Sequence, residues 1–175
     1  AMPGLCDLHP YQPYKTVQGL FQLLVEFQDM LAAISGLPAV SLQPAAGAHG
    51  ELTALMVAAA YFRHHGQRRT KILVPDSAHG TNPASAAMAG MRVVVVATAP
   101  NGNVDVADLR KKAAEHHDRL ACLMITYPST HGVFEDEIRT ICDVVHEHGG
   151  QVYVDGLSVG DVGETTLGDR IALGE

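Results

Sequence analysis

Hydrophobic residues recur along most of the chain in two patterns, one typical of helices and one typical of buried strands. Within residues 16–35 the apolar positions follow the 3.6-residue helical spacing: Val17, Leu20, Phe21, Leu24, Phe27, Leu31 and Ile34. A second helix is predicted from about residue 48 to Gly66, with its apolar face at Leu52, Leu55, Met56, Ala59 and Phe62. The short apolar run at 39–42, between two prolines, predicts a buried strand.

After Gly66 the sequence alternates regularly between strand and helix patterns. Continuous apolar runs predict strands at 71–74, 92–97, 121–127 and 151–155. The segments between them predict a helix over 83–89 capped by Asn82, a helix capped by Asp105, and a helix with apolar positions at Ile138, Ile141, Cys142 and Val145. Unbroken apolar strands suit a parallel sheet that helices cover on both faces. The pattern therefore predicts an α/β fold with a three-layer, doubly wound, mostly parallel sheet.

The C-terminal end breaks this rhythm. Residues 157–175 are rich in Gly, Asp, Glu and Thr, and their apolar residues are isolated. We therefore predict a core domain over 1–156 and a divergent tail over 157–175, either weakly ordered or forming a swapped arm.

Charge and composition narrow the possible partners. The 175 residues include 12 Lys+Arg and 19 Asp+Glu, a formal net charge of −7, and the cations are scattered along the chain. Nucleic-acid binders usually concentrate basic residues on one face, so nucleic acid is not an expected partner. No apolar run approaches the roughly 18 to 20 residues that cross a bilayer, and the N-terminus does not resemble a signal peptide. We expect a cytoplasmic protein with no membrane partner, whose three cysteines are reduced thiols.

Small or polar residues follow several predicted strands, at the edge where parallel sheets bind ligands. Residues 43–51 are mostly small and open a helix, where backbone N–H groups can hold a phosphate. The segment 75–85 carries His79, the segment 126–132 carries two threonines, and Asp155 ends the last strand. Pyridoxal phosphate needs a phosphate cradle, a flat side chain against its ring and a carboxylate that keeps its pyridine nitrogen protonated. These residues therefore make a pyridoxal phosphate site one interpretation of the sequence.

Simpler interpretations of the same residues stay open at this point. The turn at 46–50 is also what a tight strand-to-helix connection requires, and it matches neither a dinucleotide fingerprint nor a P-loop. His79 could serve only loop backbone groups, and Asp155 could be a helix cap. A hydrolase triad of Ser77, His79 and Asp155 lacks the Gly-x-Ser-x-Gly elbow. The paired histidines lie one or two residues apart, not at the i, i+4 spacing that a shared metal ion favours, so no metal site is predicted.

Three segments, 42–51, 76–91 and 125–156, resemble glycine decarboxylase, the P-protein family of the glycine cleavage system. The likeness runs from about residue 9 to residue 156. It implies the large domain of a fold-type-I pyridoxal phosphate enzyme. It also implies an oxidoreductase activity: oxidative decarboxylation of glycine, with transfer of the aminomethyl group to a lipoyl carrier protein.

The resemblance also implies roles for individual residues. It places the cofactor phosphate at Ala46, Gly47 and Ala48, and the ring's oxygen side near Thr126 or Thr130. His79 would lie against the ring face and Asp155 at the pyridine nitrogen, which makes these two the candidate catalytic residues.

Two features of the sequence depart from the family. The family's Schiff-base lysine lies downstream of the Asp155 segment, in a stretch that these 175 residues do not contain. The chain's own lysines are Lys15, Lys71, Lys111 and Lys112, none of which is predicted at the carboxyl ends of the strands. Leu157 stands where related enzymes have a small residue beneath the ring. The sequence therefore predicts a truncated chain that is not competent alone and that binds the cofactor weakly or not at all.

Three functions remain open from the sequence. The first is a fragment or split subunit of a glycine decarboxylase, whose lysine comes from a complementary subunit or from the remainder of the gene. The second is a non-catalytic, dimerising interaction module derived from the same fold. The third is a small enzyme with altered chemistry at the same edge of the sheet, which no residue in the sequence supports. The family's dimeric enzymes lead us to expect a homodimer under the first two.

Overall fold

The computed structural model describes residues 4–5, 7–9 and 11–156 of the chain. These residues fall into two compact units, Ala1–Gln43 and Pro44–Glu175. The domain boundary expected at residue 156 coincides with the end of the described residues and stays a prediction. The tail expected over 157–175, including Leu157, lies outside the described residues.

The first unit contains a single turn of 3-10 helix, Tyr14–Thr16, and the helix α1, Gln18–Ser35. The helix predicted over 16–35 is therefore confirmed. It ends where the left-handed backbone of Gly36 (φ 70°) directs its N–H to the carbonyl of Ala32. None of its residues is buried, and Phe27 and Ile34 remain 48% and 58% exposed. The apolar residues of α1 have the predicted helical spacing, but none of them is buried.

The strand predicted at 39–42 is wrong. These residues form no helix or strand and pair with none of the described strands. The carbonyl of Val40 instead accepts a hydrogen bond from Nε2 of Gln28, at 2.5 Å. The apolar run was too short to distinguish a strand from an extended loop, and the sheet has four described strands instead of the five expected.

The second unit holds the remaining elements in strict alternation. The helices are α2 (Gly47–His64), α3 (Thr81–Met88), α4 (Val106–Glu115) and α5 (Ile138–Glu147). The strands are β1 (Lys71–Pro75), β2 (Arg92–Val96), β3 (Leu120–Thr126) and β4 (Gln151–Asp155). These four strands pair only in parallel, and their order in the sheet is β2-β1-β3-β4. The four strands predicted after Gly66 and the parallel α/β fold are thus confirmed.

Helices cover both faces of this sheet. Side chains alternate along a strand, so Leu73 and Leu123 face one layer while Ile72 and Met124 face the other. The first layer is formed by α4 and α5 and the second by α2 and α3. Every residue of β3 is buried, as a central strand packed on both sides requires. This is the doubly wound, three-layer architecture that the sequence predicted.

Two details of the helices differ from expectation. Asn82 is not the cap of α3, because the helix begins at Thr81 with Gly80 as its N-cap, and Asn82 is fully buried inside the first turn. Met56 is 58% exposed, whereas Glu51 is buried on the face that α2 presents to the sheet. The cap predicted at Asp105 is confirmed, since its carboxylate accepts hydrogen bonds from the N–H groups of Ala107 and Asp108.

Two further findings concern cysteines and membranes. Cys122 and Cys142 are free and buried, and burial raises the pKa of their thiols to about 12 and about 11. Thiols with such pKa values carry little thiolate at neutral pH, which makes them unreactive core residues. None of the helices among the described residues has both the length and the apolar character needed to cross a bilayer.

Candidate functional site

The carboxyl ends of β1, β3 and β4 meet around Thr126, the last residue of β3. The chain runs from β1 outward to β2 and then returns to β3 on the other side of β1, so its direction reverses between β1 and β3. In open parallel sheets, ligands bind at such a reversal, outside the carboxyl ends of the strands. The two loops that follow β1 and β3 are therefore the places to look for a site.

Thr126 connects three parts of this edge through one buried hydroxyl. Its Oγ1 accepts the backbone N–H of His79 at 3.2 Å and lies 3.4 Å from Nδ2 of Asn82. The same hydroxyl donates to Oδ2 of Asp155 at 3.3 Å. A hydroxyl has one hydrogen to donate and two lone pairs, so these contacts use all of its hydrogen-bonding capacity. The loop after β1 is thereby joined to the carboxylate at the end of β4.

Asp155 is half-buried and paired in the sheet directly beside Thr126. Its backbone carbonyl accepts from the N–H of Tyr127, which continues the ladder by one residue. The structure thus places Asp155 at the strand end that the sequence predicted, next to the segment that carries His79.

His79 lies in an exposed position on the loop between β1 and α3. Its Nδ1 lies 2.6 Å from the hydroxyl oxygen of Thr81. The hydrolase triad gains no support, because this ring nitrogen is used by Thr81 and the side chain of Ser77 is buried. Among the described residues no group of three His, Cys, Asp or Glu side chains is arranged to hold a metal ion.

The second candidate threonine, Thr130, stabilises the same edge in a different way. Its hydroxyl donates to the backbone carbonyl of Ser77 at 2.8 Å and so holds the loop after β3 against the loop after β1. Thr126 is buried at 2% exposure, whereas Thr130 is exposed. Of the two, Thr130 is the one open to a ligand, and Thr126 is the one bonded to Asp155.

The predicted phosphate turn opens α2. Ala46 is the N-cap of this 18-residue helix and makes no side-chain capping hydrogen bond. The backbone N–H groups of Gly47 and Ala48 have no acceptor among the described residues, and both residues are exposed. A Cβ placed on Gly47 would meet no atom within 4 Å, so the space beside the turn is open. Free N–H groups at the positive end of a helix dipole are suited to an anion.

Sequence reasoning missed Glu51, the buried carboxylate of the site. Glu51 lies on α2, one turn after the phosphate candidates, and is only 4% exposed. Its two carboxylate oxygens accept from the hydroxyls of Thr81, at 2.7 Å, and Ser85, at 3.2 Å. A signal for it existed in the spacing, since Glu51 precedes Leu55 and Ala58 by four and seven residues and therefore shares their buried face.

The same edge contains a buried polar atom with no partner. Oδ1 of Asn82 is buried and accepts no hydrogen bond from any described residue. Most buried polar atoms in folded proteins are paired, so an unpaired acceptor at this place suggests that a donor from water or a ligand is received there.

The electrostatics of the edge favour a cationic group. Burial, together with the carboxylates of Asp155 and Glu51, raises the pKa of the Tyr153 phenol to about 12. Two carboxylates close enough to disfavour a third negative charge would stabilise a positive one, such as a protonated ring nitrogen. The exposed N–H groups at the start of α2 would stabilise an anion instead. The residues present therefore fit pyridoxal phosphate, which carries both charges.

The lysines of the second unit lie away from this edge. Lys71 opens β1 and so lies at the amino end of the sheet. Lys112 pairs with Asp108 at 2.5 Å, and Lys111 is exposed on the same helix, α4. No described lysine of this unit reaches the residues around Thr126.

Comparison with known proteins identifies the family. The family profile described as "Glycine cleavage system P-protein" matches residues 5–160. Glycine dehydrogenase (decarboxylating) of Nitrobacter hamburgensis is 55% identical over 169 residues, which are 95% of this chain and 18% of that protein. The enzyme of the same name from Paraburkholderia phytofirmans is 53% identical over 158 residues, 90% of this chain and 16% of that protein. The chain thus spans less than a fifth of the length of these curated relatives.

Solved structures show the same fold. A glycine decarboxylase (P-protein) of the glycine cleavage system, crystallised in an inhibitor-bound form, superposes with a TM-score of 0.74 at 22% identity, covering 95% of this chain and 36% of that one. The sphingosine-1-phosphate lyase of Burkholderia pseudomallei gives 0.66 at 19% identity, covering 80% of this chain and 34% of that one. Oryza sativa TDC with PLP and tryptamine gives 0.66 at 18% identity, over 81% and 36% of the two chains. From the profile and the identities, the chain belongs to the glycine cleavage system P-protein family.

Proposed function

We propose that this chain forms the cofactor-binding core of a glycine decarboxylase and binds pyridoxal phosphate at the carboxyl edge of its sheet. The observation that carries the proposal is the shared hydrogen bonding of Thr126. That hydroxyl brings the His79 loop and the Asp155 carboxylate, which are far apart in sequence, to one place. A single cofactor ring that contacts both His79 and Asp155 needs them close together, and the shared hydroxyl meets that need.

Each candidate residue has a physical role in this proposal. The free N–H groups of Gly47 and Ala48, with the turn at Ala46, would bind the phosphate. The flat imidazole of His79 would lie against the ring face. Asp155 would hold a proton on the pyridine nitrogen, and Thr126 would keep that carboxylate in position. The cofactor, when bound with its nitrogen protonated, supplies an electron sink for the decarboxylation of glycine.

The whole reaction requires groups beyond these. The four lysines of the chain include none at the described edge of the second unit, so we propose that a complementary subunit or the rest of a longer polypeptide supplies the Schiff-base lysine. We also propose a lipoyl carrier protein as the acceptor of the aminomethyl group and a homodimer as the assembled form. Alone, the chain would bind the cofactor without covalent attachment and with low affinity.

The second candidate function is a non-catalytic, dimerising interaction module. The observation that favours it is the exposure of apolar side chains on α1, where Phe27, Met30 and Ile34 are 48%, 59% and 58% exposed. Isolated exposed apolar residues are ordinary, but several on one helix are typical of an interaction surface.

Calorimetric titration of the purified chain with pyridoxal phosphate separates these functions. Under the first, the chain binds the cofactor, and Asp155→Ala weakens binding by about tenfold or more, as the loss of a charge-assisted hydrogen bond does. The matched control is Asp143→Ala, which removes an exposed carboxylate from α5 and should leave the affinity unchanged. If the titration shows no heat of binding even at high concentrations of pyridoxal phosphate, the interaction module is the better account.

Borohydride reduction followed by peptide mapping then tests the missing lysine. We expect no reduced adduct on any of the four lysines under conditions where the cofactor is bound. A single lysine labelled in proportion to binding would show that the chain holds its own Schiff-base residue.

A further inference from the structure

Glu51 is a buried carboxylate that forms no salt bridge within the described part of the chain, and this is an unusual arrangement. At 4% exposure it faces no Lys or Arg among the described salt bridges, and it is instead bonded by the hydroxyls of Thr81 and Ser85. A buried charge is costly unless it is well hydrogen-bonded, so its position on the apolar face of α2 calls for a reason beyond packing.

The hydrogen-bond inventory connects Glu51 to His79. A carboxylate can only accept, so the single hydrogen of the Thr81 hydroxyl is committed to Oε1 of Glu51, at 2.7 Å. The Thr81 oxygen also lies 2.6 Å from Nδ1 of His79. With its hydrogen already donated, Thr81 can only accept at this contact. Nδ1 of His79 must therefore be the donor, which means that it carries a proton.

A weaker contact points the other way. The backbone N–H of Thr81 approaches the same Nδ1 at 3.4 Å, and it would favour a bare nitrogen there. At 3.4 Å this approach is longer than ordinary N–H···O or N–H···N bonds, whereas the contact of 2.6 Å is short. The shorter contact decides the protonation as long as Glu51 orients the Thr81 hydroxyl. Without Glu51, the Thr81 hydroxyl would be free to donate to Nδ1. Together with the backbone N–H of Thr81, it would then favour an unprotonated Nδ1.

We infer that Glu51, acting through the hydroxyl of Thr81, holds the neutral imidazole of His79 in the tautomer protonated at Nδ1, which leaves a lone pair on Nε2. Glu51 and Thr81 are positioning residues for His79. They fix both the orientation of the ring and the nitrogen that can accept a hydrogen.

The importance of a fixed His79 ring for the reaction rests on the proposed function. An imidazole held by Thr81 cannot turn about its side-chain bonds without losing the short contact, so the ring keeps one plane. A ring that lies against a flat cofactor needs such a fixed plane, and Glu51 and Thr81 provide it from the helices α2 and α3.

Two-bond proton–nitrogen correlation spectra of the histidine rings test the inference on the full chain without cofactor. Spectra of the chain labelled with ¹⁵N in histidine are recorded near pH 8.5, about two pH units above the reference pKa of a free imidazole. His79→Gln identifies the signals of this residue among the 10 histidines. We expect the Nδ1–H form to exceed the Nε2–H form about tenfold. A wild-type ring protonated mainly at Nε2 would overturn the inference, whatever the Thr81 and Glu51 variants show.

Variants then separate the contributions. Thr81→Val and Glu51→Ala should each shift the population to the Nε2–H form, because the first removes the acceptor and the second frees the hydroxyl to donate. Thr81→Ser should restore the wild-type tautomer. Ser85→Ala is the matched control, since Ser85 donates to the other carboxylate oxygen and is not among the described hydrogen-bond partners of His79. If Thr81→Val folds and leaves the Nδ1–H form unchanged, Glu51 does not act on His79 through Thr81. This outcome overturns the inference even where Glu51→Ala fails to fold.

The tautomer of His79 is measured without cofactor, so this result does not depend on whether the chain binds pyridoxal phosphate. Titration of the same samples with pyridoxal phosphate distinguishes the two ideas. A correct tautomer in a chain that binds no cofactor would contradict only the proposed function. Cofactor binding by a chain with the wrong tautomer would contradict only the role of Glu51.

Discussion

The hydroxyl of Thr126 donates to the carboxylate of Asp155 across the β3–β4 pair, over 3.3 Å. The two residues are direct partners in the parallel ladder, so the register of the sheet sets this contact. Because Thr126 also accepts the N–H of His79, the position of the carboxylate and that of the loop depend on one side chain. The candidate site is therefore a consequence of strand pairing and not of loop conformation alone.

Replacing Thr126 with valine should destabilise the fold. The change leaves the N–H of His79 and the amide of Asn82 without their acceptor in a buried place, at a cost of about 1 to 3 kcal/mol of unfolding free energy. Urea denaturation of the wild type and the variant measures this loss of unfolding free energy. Thr53→Val is the control, because the Thr53 hydroxyl donates to the carbonyl of His49 on its own helix and to no other described residue. An equal effect of the two variants would contradict the role given to Thr126.

Arg69 should stabilise the opposite edge of the sheet. Its Nη1 lies within 3.1 Å of the backbone carbonyls of His117, Leu120 and His148, and its guanidinium lies over the ring of Phe62. Arg69→Ala should lower the unfolding free energy by about 2 to 3 kcal/mol, since hydrogen bonds from a charged donor are lost. The neighbouring exposed Arg68→Ala should change it by less than about 0.5 kcal/mol. Thermal denaturation that ranked the two variants equally would oppose this account.

The cap of α4 gives a smaller, local prediction. Asp105→Ala removes the acceptor of two N–H groups at the helix start and should cost about 1 kcal/mol. Glu115→Ala, at the exposed far end of the same helix, removes a carboxylate without a capping role. Chemical denaturation should separate the two variants by about that amount. Indistinguishable midpoints would show that the cap contributes nothing.

Glu135 makes stability depend on pH in a predictable direction. Burial raises the pKa of its carboxyl group, although the N–H of Val104 opposes this shift. The folded chain therefore binds a proton that the unfolded chain, with a glutamate pKa near 4.3, has already released. The unfolding free energy should fall as the pH rises from about 4.3 to the raised pKa, because the unfolded state binds fewer protons in that window.

Urea denaturation of the wild type and Glu135→Gln across that pH range measures the effect. The glutamine variant keeps an acceptor for Val104 but cannot titrate, so the wild type should lose stability relative to it as the pH rises. A difference that stays constant with pH, or that grows in favour of the wild type, would refute the prediction.

The sheet was predictable because its signal is local. Central strands packed on both faces need unbroken apolar runs, and β3 shows one in which every residue is buried. The run at 39–42 carries the same local signal but pairs with no described strand. Only the availability of a partner distinguishes the two, and that depends on residues far away in the sequence.

The site was predictable only in part for a similar reason. Asp155 and Thr126 follow from their positions at strand ends, and the residues of the phosphate turn follow from the start of a helix. Asn82 looked like a helix cap because short polar residues favour that position, but its amide bonds Thr126, 44 residues away. Glu51 was overlooked because a glutamate at a helix start is ordinarily exposed, and only its partners on α3 explain its burial.

The protonation state of the pyridine nitrogen tests the central claim most directly. Pyridoxal phosphate labelled with ¹⁵N at the ring, bound to the 175-residue chain near pH 8, reports by its chemical shift whether that nitrogen carries a proton. We predict a protonated nitrogen on the wild type and an unprotonated one on Asp155→Asn, with the exposed Asp143→Asn behaving like the wild type. An unprotonated nitrogen on the wild type, or a protonated one that persists in Asp155→Asn, would contradict the account.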